Sequence, residues 1–367
     1  MRHNTNNPKE NRIVLTQPVR KKTLSTVEDL KNFFHLSVSN IQVVIDQYPM
    51  RIHPYVANLM AHDPDGPLCR QFIPTIQELY DNLGTDDPLS ENLQSPVRQI
   101  IHRYPDRVVF LVSNTCPSFC RFCMRKRFVG KQPQVCKDDI QAGLSYIAKT
   151  LTIREVILSG GDPFMQDDQV LFDILDQIKK LEHVQILRIH SRIPILMPER
   201  ITSELILQLR AYHPLYINLH VNHPEEFSDA SQKVVENLAD AGFPLGAQTV
   251  LLKGVNDHPE TMLQLMQKLL TLRIRPYYLH HMDDTQGTRH FQTSIDRGLQ
   301  IMERLRGYMS GMGIPQYMID LPGGGGKVPL LPDYVLKRSS SVWLFKNFEG
   351  KHIEWKTRKT DHTGIYD

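Results

Sequence analysis

From Arg107 onward, short β-branched runs alternate with stretches of helical periodicity. The runs predict strands at Val108–Val112, Glu155–Leu158, Gln185–Ile189, Tyr216–His220, Gly246–Leu252 and Pro276–His280. Between them the apolar positions share one helical face. Ile140, Leu144 and Ile147 do so within Lys137–Thr150, and Ile201, Leu205, Leu209 and Tyr212 within Glu199–Tyr212. Six such β–α alternations dictate parallel strands joined by right-handed crossovers. That is fewer than a closed barrel of this kind needs. The expected fold is therefore α/β, a partial (β/α)6 TIM-like barrel with its site at the C-terminal ends of the strands.

The flanks are patterned differently. Pro54, Pro64, Pro67, Pro74, Pro88 and Pro96 interrupt short apolar patches, which argues against long helices between Tyr55 and Ser95. Val27–Phe34 and Ile41–Gln47 can form short ones. After Met309, Pro315–Asp320 reads as one more strand. Ser341–Phe345 and His352–Trp355 flank Asn347-Phe348-Glu349-Gly350 as a hairpin. The expected organisation is a mostly helical N-terminal extension over 1–100 that packs on the core, the partial barrel over 101–312, and a C-terminal segment over 313–367. The polar residues at the C-terminal end are expected to fray.

Composition narrows the class. Of 367 residues, 41% are hydrophobic and 23% charged, a balance that excludes wholesale disorder. A net charge of +3 is too small to argue for nucleic acid or an anionic membrane as partner. No apolar run approaches the roughly 20 residues of a membrane span. Met1–Lys22 is polar and does not read as a secretory signal. The 5 cysteines are too few, and odd in number, for a disulfide framework. A reducing, cytoplasmic setting is expected.

Cys116, Cys120 and Cys123 stand together directly after the first predicted barrel strand. Buried inert cysteines and structural zinc are the alternatives, but zinc normally takes four ligands and no second pair is present. Three thiolates on a [4Fe-4S] cluster leave one iron free to chelate a small molecule. The spacing CxxxCxxC, with Phe122 before the last cysteine, resembles the signature of the radical S-adenosylmethionine (SAM) superfamily. The resemblance implies that the free iron binds SAM, whose reductive cleavage gives methionine and a 5′-deoxyadenosyl radical. Gly160, Gly161 and Asp162, at the end of the second predicted strand, resemble the superfamily's SAM-binding glycine motif. Taken alone they are a tight βα turn.

Pro322-Gly323-Gly324-Gly325-Gly326-Lys327 fails as a phosphate-binding P-loop, because Val328-Pro329 follow the lysine in place of Ser/Thr and a helix. It reads either as a flexible surface loop or as a lysine presented by glycines to a bulky ligand such as pyridoxal 5′-phosphate (PLP), which a lysine amine can hold covalently. With the cysteines, this segment resembles the lysine 2,3-aminomutase family, and the likeness runs from about Arg103 to Gly350. It includes His102–Arg107, Cys116–Gly130, Ser159–Pro163, Asn222–Pro224, Gly246–Gln248, Val250–Asp257 and Asp320–Lys327. The resemblance implies that Lys327 carries PLP and that Arg103, Tyr104 and Arg107 hold its phosphate. It implies that Arg125 binds the substrate carboxylate and that His220 and Gln248 contact SAM. Arg125-Lys126-Arg127 could otherwise be a solvated basic run.

By the same resemblance, Asp283 and Asp320 receive the distal ammonium of L-lysine, giving a 1,2-amino shift to β-lysine. Two carboxylates would repel a glutamate side chain, whereas arginine is not excluded. Asp284 competes with Asp283 for the inward position, and both fit a turn. A branch that makes β-lysine for elongation factor P is an alternative setting. The family's zinc near the C-terminus is not carried over, because no cysteine follows Cys136. A reducing electron donor such as flavodoxin or ferredoxin, and a homo-oligomer, are expected.

Overall fold

The computed structural model describes residues 22–34, 40–81, 83–131 and 133–356. The polar N-terminal stretch up to residue 21 and the polar C-terminal end from residue 357 lie outside the described residues. The extension contributes helices α1 (Val27–Phe34), α2 (Ile41–Gln47), α3 (Pro54–Met60) and α4 (Pro67–Phe72). They are short, and α3 and α4 each begin on a proline, which suits a first helical position.

The barrel elements follow in order. They are β1 (Ile100–Tyr104), β2 (Arg107–Ser113), α5 (Lys137–Lys149), β3 (Glu155–Gly160), α6 (Asp168–Lys179), β4 (Ile186–Ser191), α7 (Ile193–Leu196) and α8 (Ser203–Leu209). Next come β5 (Leu215–His220), α9 (Asp229–Asp240), β6 (Leu245–Val250), α10 (Pro259–Thr271), β7 (Arg275–His280), α11 (Ile295–Leu305), β8 (Gln316–Leu321) and β9 (Gly326–Pro329). A separate three-stranded antiparallel sheet is built from β10 (Val335–Arg338), β11 (Val342–Lys346) and β12 (His352–Lys356). It contains the hairpin expected from sequence, with one strand added.

One sheet runs β1 to β9 in chain order. Neighbours from β2 to β8 pair in parallel, and β1 and β9 close the row antiparallel at either edge. The six expected barrel strands are all present, and β8 extends the parallel set to seven. The curl of the sheet brings its edges together: the Tyr104 hydroxyl on β1 accepts the Lys327 backbone N–H of β9 at 2.9 Å.

The crossover helices sit on the sheet as their periodicity requires. In α5 the buried residues are Ile140, Gly143, Leu144 and Ile147. A Cβ on Gly143 would lie 2.5 Å from the Phe110 ring, so this glycine sets how closely α5 approaches β2. Leu30, Ile52, Val56 and Phe72 of the extension belong to the same apolar core as Ile147, Ile189 and Leu269. The extension thus has no core of its own. Among the described residues no helix is long and apolar enough to cross a membrane.

Candidate active site

A cavity of about 580 Å³ fills the inside of the curled sheet. Cys116, Cys120, Cys123, Gly160, Gly161, Asp162, Arg103, Tyr104, Arg107, Arg125, His220, Gln248, Asp283, Asp320 and Lys327 all line it. All the residues given a role by the resemblance therefore line one space.

The cysteine loop leaves β2 and is pinned by buried charge. Arg121, between Cys120 and Cys123, is 1% exposed. Its guanidinium donates to both oxygens of Glu78, at 2.9 and 2.6 Å, and to the carbonyls of Pro49 and Tyr48. Lys126 adds a third cationic contact to Glu78 at 2.8 Å. Burial alone would raise the Glu78 carboxyl, but Arg121 and Lys126 outweigh it and hold it below the ordinary range. Arg121 N–H also donates to the Gln71 carbonyl, so the extension fixes the loop's backbone too.

Burial pushes the three thiols up, Cys123 to about 11, and each lies within electrostatic reach of another. Such thiols ionise readily only when a bound cation replaces the proton. Three cysteine thiols on one cavity wall are the donor set of a cluster in which each thiolate holds its own iron, whereas a lone zinc normally takes four ligands.

The glycine turn packs against this loop. Gly160 has φ +126°, and a Cβ there would lie 2.1 Å from the Ser113 carbonyl; at Gly161 it would lie 2.4 Å from the Thr115 carbonyl. Backbone crowding from the end of β2 and the start of the cysteine loop is thus sufficient reason for both glycines. Asp162 is buried, with its carboxyl raised to about 6 by that burial. It accepts hydrogen bonds from Ser191 Oγ and from the backbone N–H groups of Arg192, Ile193 and Phe164. Its carboxylate therefore organises the turn after β4.

The glycine run is a hairpin turn between β8 and β9, not a loop into a helix. Gly324 (φ +79°) and Gly326 (φ +81°) take backbone conformations that side chains rarely adopt. The turn places Lys327 directly opposite Asp320, and the two side chains form an ion pair. Arg103 donates to the same carboxylate at 3.0 Å, and also to Gln94 and the Leu89 carbonyl. Arg107 stacks over the Tyr104 ring at 4.0 Å, with one donor on Asp106. A lysine amine, a phenol and two guanidinium groups on one wall are the donor set a phosphorylated aldehyde needs.

Arg125 grips Glu91 in a two-point contact, at 2.7 and 3.2 Å, and reaches Ser159 Oγ at 3.4 Å. It is not a solvated basic residue. Asp283 lines the cavity, whereas Asp284 is exposed and accepts from Gln292, which resolves the choice between the two acids. Burial, then the neighbouring charge of Asp320, raises the Asp283 carboxyl to about 7. His220 and Gln248 are register partners at the ends of β5 and β6.

The cavity residues that sequence reasoning missed include Glu91, His190, Arg192 and His280. Burial, reinforced by nearby cations, keeps His190 and His280 neutral. His190 Nε2 lies 3.0 Å from the Asn218 amide, and Gly246 leaves room for that amide, since a Cβ there would lie 2.4 Å from it. The available signal was position, because His190 and His280 lie at the C-terminal ends of parallel strands.

The Radical SAM superfamily matches residues 110–266, and the family described as Lysine-2,3-aminomutase matches residues 302–361. The L-lysine 2,3-aminomutase of Methanococcus maripaludis is 44% identical over 89% of this chain and 78% of its own. That of Fusobacterium nucleatum is 43% identical over 90% and 79%. The glutamate 2,3-aminomutase of Clostridioides difficile is 42% identical over 86% and 75%. With this similarity over most of its length, the chain belongs to the lysine 2,3-aminomutase family of radical SAM enzymes.

Proposed function

We propose that this protein is an isomerase, an L-lysine 2,3-aminomutase that moves the α-amino group of L-lysine to carbon 3. The observation that carries the choice of substrate is the pair of cavity acids, Asp283 and Asp320. Relatives named for lysine and for glutamate are almost equally identical to this chain, so overall identity does not choose between them. The acids do. A distal ammonium between two carboxylates gains charge-assisted hydrogen bonds, while a second carboxylate there would be repelled.

The family's cofactors are a [4Fe-4S] cluster, SAM and PLP. When bound, the cluster and SAM supply a carbon-centred radical, and PLP supplies a π system that lets nitrogen migrate between adjacent carbons. Cys116, Cys120 and Cys123 would hold the cluster, with His220, Gln248 and the turn of Gly160, Gly161 and Asp162 as the wall for SAM. Lys327 would hold PLP, with Arg103, Tyr104 and Arg107 toward its phosphate. Arg125 orients the substrate carboxylate and Asp283 and Asp320 its far end, so carbon 3 is fixed from both sides. A low-potential donor such as flavodoxin or ferredoxin supplies the electron, in the cytoplasm, to a homo-oligomer.

The test is a product assay. The reconstituted enzyme with PLP, SAM, a reductant and L-lysine should yield β-lysine by mass spectrometry. Rearrangement of arginine or glutamate in preference to lysine overturns the substrate assignment.

A further inference from the structure

Arg192 places its guanidinium against a candidate cluster ligand. Its Nη1 donates to Cys120 Sγ at 2.8 Å. Its Nη2 donates to Glu226 at 2.6 Å and to Gln71 at 3.2 Å. The group lies between the rings of Phe72 and Phe122, with its carbon 5.4 and 5.6 Å from their centroids. Glu226 is fully buried, and both its oxygens are engaged, by Arg192 on one side and by Gln71 and the Asn222 and His223 N–H groups on the other. At the backbone, Asp162 accepts the Arg192 N–H at 2.7 Å. The guanidinium is thus held by side chain and main chain alike, with Nη1 turned to sulfur.

An N–H···S bond and a positive charge both stabilise the more negative, reduced state of an iron–sulfur centre, and burial strengthens both. Glu226 opposes them, because it neutralises the same guanidinium. We propose that Arg192 is a positioning residue that raises the reduction potential of the cluster through Cys120, and that Glu226 sets how far. The proposal rests on the cluster-binding part of the reading above and is independent of the substrate.

The test is a potentiometric titration of the cluster in the reconstituted holoenzyme, without SAM or amino acid, alongside iron and sulfide content. Arg192→Gln should make the cluster harder to reduce, by about tenfold in the reduction equilibrium, or about 59 mV for one electron. Arg192→Lys should recover part of that shift. Glu226→Gln should move the potential the opposite way. An unchanged potential in Arg192→Gln with full iron content overturns the proposal and leaves Arg192 to packing or to SAM alone. If Arg192→Gln fails to load, Glu226→Gln decides: an unchanged or lowered potential overturns the proposal. Loss of the lysine assignment would show in the product assay and not in this titration.

Discussion

Asp320 and Lys327 face each other in register across β8 and β9, and the lysine ammonium rests on the aspartate. The carboxylate assigned to the substrate's distal ammonium is therefore paired with the lysine assigned to PLP, and with Arg103 besides. When that amine is committed to the cofactor, Asp320 keeps Arg103 and is freed on its other oxygen to receive the substrate's ammonium. Lys327→Ala should lose covalent pyridoxal attachment, read as failure of borohydride to fix the cofactor to protein, and lose turnover by orders of magnitude. Its iron and sulfide content should match the parent. Normal turnover in this variant would refute the role of Lys327.

Tyr104 joins the first strand of the sheet to the last through one hydrogen bond to the Lys327 N–H. Its ring also carries Arg107. Tyr104→Phe keeps the ring and removes the bond, so a loss of about 0.5–1.5 kcal/mol in unfolding free energy is expected. PLP should also dissociate faster, because β9 is less firmly seated. Stopped-flow exchange against a pyridoxal scavenger measures the second effect. An unaltered release rate would mean that the bond does not position Lys327.

The strands that were legible in the sequence are those with a short β-branched or apolar run between helical stretches, such as Val108–Val112. β1 and β9 were not. Ile100–Tyr104 is half polar, and Gly326–Pro329 carries a glycine and a proline that read as loop. Their pairing is decided by tertiary closure of the sheet. Cys116, Cys120, Cys123 and Lys327 stood out because their chemistry is written in local spacing. Glu91 and Arg192 did not, since each matters through a partner distant in sequence, Arg125 and Cys120.

Asp283 should impose a pH dependence on lysine binding. Burial and Asp320 raise its carboxyl to about 7, so it is neutral below that pH and charged above it. The substrate ammonium, with a pKa of about 10.4, stays charged throughout. The KM for lysine should therefore fall as pH rises through about 7. Asp283→Asn should flatten this dependence and raise KM at alkaline pH. A profile unchanged by the substitution would show that some other group governs it. The stability sign is opposite to that of an ion-paired acid. Because the folded-state pKa is raised, the contribution of Asp283 to stability is lost as pH rises from about 4 toward 7. Asp283→Asn should remove that contribution from the pH profile.

The anchor beneath the cysteine loop makes the last prediction. Glu78 is the shared acceptor for Arg121 and Lys126, and Arg121 and Glu78 are almost fully buried. Removing the carboxylate strands two cations in a dry environment, which is worse than never having buried the set. Glu78→Ala should destabilise the cluster-free protein by about 3–5 kcal/mol, read from urea unfolding. Replacing Arg121 by Met in the same background removes one stranded charge and should restore part of the loss, which a simple cavity at position 78 would not allow. Cluster loading should fall in Glu78→Ala, because the Arg121 side chain, held by Glu78 and by the Pro49 and Tyr48 carbonyls, is what seats the loop between Cys120 and Cys123. A Glu78→Ala protein of parental stability and full iron content would mean that the extension merely covers the loop and does not hold it.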